Sequence, residues 1–273
     1  MAWEVGWVRK GNKRQRQGDL FAKDGKKRRN KDGSIAKKRG RKPNGPRAGE
    51  SHLKRRRLGP RSALHIVLRV ERAVGSLRKR FMYRALREAT IAVAKRELAY
   101  AEVKGAFRIV HLSIQRTHVH LLVEADNRKA LSEGMRCFGI SAAKHINREF
   151  SAKAKLAKRR RGRVFADRYH EELIKTPYQA RRALAYVLNN WRKHREDQVD
   201  YAASWNVDPF SSGFQFLGWK EREDAEVFWR GRDTYDPLAV YLPKTWLLSQ
   251  GWLKHGRISF YEVPGPRSVA SAR

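Results

Sequence analysis

The sequence predicts an α+β protein: a four-stranded antiparallel sheet built in the order β-α-β-β-α-β, followed by a further amphipathic helix. Three observations carry that prediction. Two apolar-alternating runs, 106–114 and 118–125, are separated only by Gln115-Arg116-Thr117 and read as a hairpin. Two stretches with apolar residues at helical spacing, 76–99 and 128–150, flank the hairpin. Short apolar runs at 63–70 and 164–174 lie outside these. The order is that of a ferredoxin-like sheet, with two helices on one face and the other face open to a ligand or to a third helix.

Each element has a local cause. In the first helix Ser76 is the expected N-cap, and Leu77, Phe81, Ala85, Ala89 and Ala92 run along one face. In the second, Leu131, Met135, Phe138, Ala142, Ile146 and Phe150 form the apolar stripe. A basic loop, 151–163, precedes the strand expected over 164–174. The third helix, 177–194, opens with Thr176 as N-cap and Pro177 at the first helical position. Residues 1–60 hold 21 Lys/Arg against 5 Asp/Glu, with frequent Gly, Asn and Pro, and read as a disordered basic arm. Within it "RGRKP" (39–43) resembles the AT-hook core with Lys42 inserted. Arg39 and Arg41 could enter a narrow A·T-rich minor groove, or belong to a generic polybasic tail. The division expected is an arm, 1–60, a core, 61–196, and an extension, 197–273, that carries five of the chain's eight tryptophans and one short helix within 238–256.

Charge and composition narrow the partners. Lys plus Arg outnumber Asp plus Glu by 62 to 27, a formal charge of +35. Such a chain repels itself unless a polyanion is near, and nucleic acid is the default partner. A single cysteine, Cys137, excludes disulfides within the chain and cysteine-rich zinc sites. No apolar run reaches the ~20 residues of a membrane span, and the first residues lack a signal-peptide core. A cytoplasmic, nucleoid-associated protein is expected.

The stretch "RTHVHLLVEAD" (116–126) raises the chemical question. On a strand, His118, His120, Leu122 and Glu124 share one face, while Val119, Leu121 and Val123 point to the core. Two imidazoles side by side could ligate one metal ion, with Glu124 supporting them, or could be ordinary polar residues of an exposed sheet face. The third helix offers further participants. At about 100° per residue, Tyr186 lies roughly 120° from the centre of the stripe made by Ala180, Ala183, Leu184, Val187, Leu188 and Trp191. Asn190 follows one turn later on the same polar face, with Gln179, Arg182 and Lys193.

His-apolar-His on the third strand, followed by a helix with a single tyrosine, resembles the HUH nucleases that use one catalytic tyrosine. "THVHLLVEA", "GRVFADRYHEELIKTP" and "ALAYVLNNWRKH" are similar to the IS200/IS605-type transposases, and more closely to the REP-associated tyrosine transposases, over roughly 62–195. The resemblance implies cleavage and rejoining of single-stranded DNA beside a hairpin or palindrome. It implies Tyr186 as nucleophile, His118 and His120 as ligands of Mg²⁺ or Mn²⁺, and Asn190 where the family often carries a glutamine ligand, one methylene longer. It leaves monomer and homodimer open, because IS200-type relatives swap the tyrosine helix between subunits while REP-associated relatives can act alone. Imidazole by itself suits Zn, Cu, Fe or Ni, so the hard ions need phosphate oxygens and water to complete their shell. Arg61, Arg69, Arg78, Arg159, Arg160, Arg161, Arg182 and Lys193 are the expected DNA contacts of the core. The rival reading is a binding protein on the same fold, for hairpin DNA or for RNA. Against the RNA form stands the absence of the paired sheet aromatics that such binders stack on bases.

Overall fold

The computed structural model describes residues 55–99, 105–199, 205–223 and 235–265. Arg39, Arg41 and most of the expected basic arm lie outside the described residues, as does Trp229.

The β-α-β-β-α-β order is present. Strands β1 (Ser62–Arg69), β2 (Phe107–Ile114), β3 (His118–Ala125) and β4 (His170–Ile174) form one sheet in the order β2-β3-β1-β4. Every neighbouring pair is antiparallel. Helices α1 (Arg80–Ala99) and α2 (Arg128–Lys153) pack on each other and on one face. That face buries Leu64, Ile66, Leu68, Ile109, Leu112, Val119, Leu121 and Val123, the inward set of the period-two pattern. Helix α3 (Pro177–Lys193) lies against β2 and β3. No helix among the described residues is long and apolar enough to cross a membrane.

Three elements differ from the sequence expectation. Helix α1 begins at Arg80 because Ser76 does not cap it: its hydroxyl accepts from Arg78 N at 3.3 Å, and Leu77 N donates to Arg116 O. The buried face of α1 is carried by Met82, Leu86, Ala89 and Val93 together with Ala85, while Phe81 is only partly buried. The strand expected over 164–174 pairs continuously only from His170. Phe165 makes a single bridge to Val70, and a bend then interrupts the ladder. The expected helix within 238–256 is one turn, α4 (Trp246–Ser249), followed by a 3₁₀ turn over Gly251–His255.

The C-terminal extension wraps the core. Ser212 N donates to Leu112 O and Ile114 N to Phe210 O, so the extension runs along β2. Asp208 takes both ends of the buried Arg78 guanidinium at 2.9 Å. Glu124 accepts from the backbone N of Lys244 and Thr245 and pairs with Arg108 at 3.0 Å. These contacts correct two expectations. Arg78 is sealed from solvent and serves the fold rather than DNA, and Glu124 anchors the extension instead of supporting the histidines.

Candidate functional site

The β1–β3 register sets the histidines. Arg69 stands opposite His118, Val67 opposite His120 and His65 opposite Leu122, so all six share the face away from α1 and α2. His118 opens β3, and His120, two residues on, is fully buried. Their Nε2 atoms are 2.9 Å apart. Their other ring nitrogens are occupied: His118 Nδ1 lies 3.2 Å from Thr117 Oγ1, and His120 Nδ1 lies 3.1 Å from His65 Nε2. With both Nδ1–H groups donating, two Nε2 lone pairs converge on one point, an arrangement that a cation would hold together.

The electrostatics agree with that reading. Burial first, then His194 and Arg69, pull His118 down to about 3. Burial, then His118 and His65, hold His120 well below the usual imidazole range. Both rings are therefore neutral near pH 7, which is the ligating form. Two donors at right angles about 2.1 Å from an octahedral ion stand about 3 Å apart, close to the spacing here. Among the described residues no group of three His, Cys, Asp or Glu converges as a metal site. Further donors would be an amide, water or substrate phosphate.

Helix α3 supplies the amide and the phenol. Thr176 Oγ1 accepts from Gln179 N and Pro177 occupies the first turn, as its sequence predicts. The polar face of α3 is not, however, turned to water. Tyr186 is 3% exposed, with its ring edge-on to His120 at 5.2 Å and to His65 at 5.9 Å between centroids. Tyr186, expected on the polar side of the helix, thus packs against the histidine face. Asn190, one turn on, is 0% exposed, and neither amide atom has a hydrogen-bond partner. A buried amide without partners costs about 1–3 kcal/mol per group, which a bound ligand would offset. Lys193 Nζ sits 4.9 Å from the Tyr186 ring centre, and burial lowers its ammonium pKa.

The extension holds α3 in this position. Asn189 Nδ2 donates to Ser259 O at 2.9 Å, and Arg192 bonds Phe260 O and Asn206 O. Arg181 pairs with both Glu262 oxygens at 2.6 and 2.7 Å.

Of the other expected DNA contacts, Arg61, Arg69, Arg159, Arg161 and Lys193 are exposed and Arg182 is half-buried beside Tyr186's face. Arg160 is committed to its own loop, bonding Asn147, Gly162 O and Arg163 O. Sequence reasoning missed two residues. His65 carries no local sequence signal for the site, yet its Nε2 lies 3.1 Å from His120 Nδ1. Glu172, opposite His65 on β4, shares the histidine face, and burial pushes its carboxyl up to about 7. The alternation of "HEELI" was the available signal for Glu172. For His65 the signal was the register, which no local pattern shows.

Comparison with known proteins follows this geometry. No curated protein matches the chain. The solved structure of a REP-associated tyrosine transposase bound to a REP hairpin is 19% identical, covers 70% of this chain and 98% of its own, and has a TM-score of 0.41. A candidate transposase from Deinococcus radiodurans R1 is 15% identical, covers 55% of this chain and 98% of its own, and has a TM-score of 0.31. Residues 61–190 match the family described as "Transposase IS200 like", a span that runs from the start of β1 to Asn190 and encloses both histidines and Tyr186. That domain, rather than the whole chain, is what is similar to the IS200-like transposases.

Proposed function

We propose that this chain is a transposase that cuts and rejoins single-stranded DNA beside a hairpin or palindromic element, with Tyr186 as the nucleophile. The observation that carries the reading is the convergence of the His118 and His120 Nε2 atoms beside the edge of the Tyr186 ring. His118, His120 and the unpartnered Asn190 amide would hold a divalent ion, Mg²⁺ or Mn²⁺. When bound, the ion supplies Lewis-acid polarisation of the scissile phosphate and offsets charge on its oxygens.

The chain's own residues do the rest. A phenol is a weak nucleophile near neutral pH, and a nearby cation favours phenolate; Lys193 Nζ is the cation beside this ring. Tyr186 Oη attacks phosphorus, and the bond to the 3′-oxygen breaks. The strand downstream is left on the enzyme as a 5′-phosphotyrosine, and the other strand leaves with a free 3′-OH. A 3′-OH attacking the same phosphorus reverses the step and frees the phenol. The phosphodiester is exchanged, never hydrolysed, so no nucleotide cofactor is needed. In this reading Arg61, Arg69, Arg159, Arg161 and Arg182 neutralise phosphates.

Tyr186 and the histidines belong to one chain, and the extension ties α3 to its own sheet through Asn189, Arg192 and Arg181. These ties support a reading in which Tyr186 serves the histidines of its own chain, without exchange of the tyrosine helix between subunits.

One assay tests both statements. Full-length protein is incubated with single-stranded hairpin oligonucleotides and Mn²⁺ or Mg²⁺, and a covalent protein–DNA adduct is sought on denaturing gels. An adduct is expected, absent with chelator and in Tyr186→Phe and His118→Ala. A mixture of those two variants is expected to stay inactive. Tight hairpin binding with no adduct would favour a binding-only protein. Activity regained in the mixture would show an exchanged helix.

A further inference from the structure

Tyr186 lies on a row of α3 residues spaced four apart: Tyr178, Arg182, Tyr186 and Asn190. Such a row is one continuous ridge of the helix surface. Exposure rises along it, from buried Tyr186, through half-buried Arg182, to Tyr178 at 52%. The Arg182 guanidinium lies 5.6 Å from the Tyr178 ring centre. The ridge continues into the extension. The Tyr178 ring meets the His255 ring at 5.4 Å. Next to His255, Lys254 Nζ stands 5.1 Å from the ring centre of Trp246, which is 50% exposed. Two large aromatic rings, each about half exposed and each with a cation over it, thus lie on one path leading out of the tyrosine site.

We infer that this path is a track for unpaired DNA flanking the cleavage point, with bases stacking on Tyr178 and Trp246 and phosphates meeting Arg182 and Lys254. The inference rests on the function proposed above and adds to it a single-strand subsite outside the hairpin. Alternating aromatic and basic groups are what sequence-tolerant single-strand binding needs, since every base offers a π face and every nucleotide a charge. Tyr178 and Tyr186 are eight helical residues apart, about 12 Å, so a few nucleotides bridge the nucleophile and the first stacking ring. Trp246 is left half exposed on the same extension that buries Trp219 and Trp252.

The test uses full-length Tyr186→Phe, which cannot cleave, and fluorescein-labelled hairpins of one stem with or without a single-stranded thymidine flank. Anisotropy titrations give Kd for each. The flank is expected to tighten binding. Tyr178→Ala and Trp246→Leu are each expected to weaken binding of the flanked hairpin by about tenfold and to leave the blunt hairpin unchanged. Trp246→Phe, which keeps a π face, is expected to retain most of the gain. Trp246→Leu keeps apolar bulk over Gly251, and unchanged thermal midpoints separate lost stacking from lost folding. A flank that adds nothing, or a Trp246→Leu variant that binds it as tightly as its parent, overturns the track. If the parent binds no hairpin at all, the function proposed above fails, and the same variants on bare oligothymidine still decide the track.

Discussion

Replacing Asp208 by alanine tests whether the extension is part of the catalytic unit. Asp208 is fully buried and accepts two hydrogen bonds of 2.9 Å from Arg78, whose side chain is also sealed from water. Removing one partner of a buried pair strands the other charge, at a cost of about 3–5 kcal/mol. Arg78 would keep Ile114 O at 3.1 Å and Glu196 at 3.7 Å, and its guanidinium lies 4.6 Å from the Phe210 ring centre. That partial compensation puts the expected loss near the lower end, about 3 kcal/mol. For a unit of this size the loss lowers the thermal midpoint by roughly 6–12 °C. The double variant Arg78→Met/Asp208→Ala removes both charges, and its loss should be smaller than that of Asp208→Ala alone. Urea denaturation of the full chain measures both. A cost below about 1 kcal/mol for Asp208→Ala, or a double variant equal to the sum of the singles, would refute a sealed ion pair holding the extension.

Three further predictions follow from the site. His65→Ala should weaken Mn²⁺ binding by about 10–100-fold, the usual cost of losing a partner that orients a ligand; electron paramagnetic resonance of free Mn²⁺ reads this without turnover, and a variant that binds Mn²⁺ as tightly as the parent would count against the role of His65. Asn190→Leu should raise stability by about 1–3 kcal/mol, because it replaces a buried, unpartnered amide with an apolar group of similar volume, while adduct formation falls; loss of stability in urea would mean that the amide has partners after all. The Glu172 carboxyl is raised to about 7 by burial, so the folded state holds its proton more tightly than the unfolded chain does. Its contribution is fully present below about pH 4.5 and is lost as pH rises through about 7. Glu172→Gln should flatten the stability profile across that window, and an unchanged slope would show that the carboxyl is solvated.

Local signals were legible wherever the partner was near in sequence. The β2–β3 hairpin, the cap at Thr176 and the α2 stripe all follow from residues within a few positions of one another. The pair His118/His120 was legible because period two is local. Hidden features depend on distant residues. The polar face of α3 marks Tyr186 and Asn190 as residues that meet a partner, but it does not say which element supplies it. Here the extension holds α3 through Arg181, Asn189 and Arg192, and the histidine face meets Tyr186. His65 reaches His120 across 55 residues of chain and Asp208 reaches Arg78 across 130, and neither partner leaves a mark beside the other. Strand β4 was overread because "VFADRYHEELI" has apolar pairs at both ends, Val164-Phe165 and Leu173-Ile174, while only the end from His170 keeps its ladder partners.

The central claim is that Tyr186 is the residue joined to DNA. The most direct measurement is tryptic mass spectrometry of the protein–DNA adduct after nuclease trimming. The account predicts a 5′-phosphonucleotide on Tyr186, within the peptide spanning residues 183–192. A nucleotide on Tyr169, Tyr178 or any other residue, with Tyr186 unmodified, would contradict it.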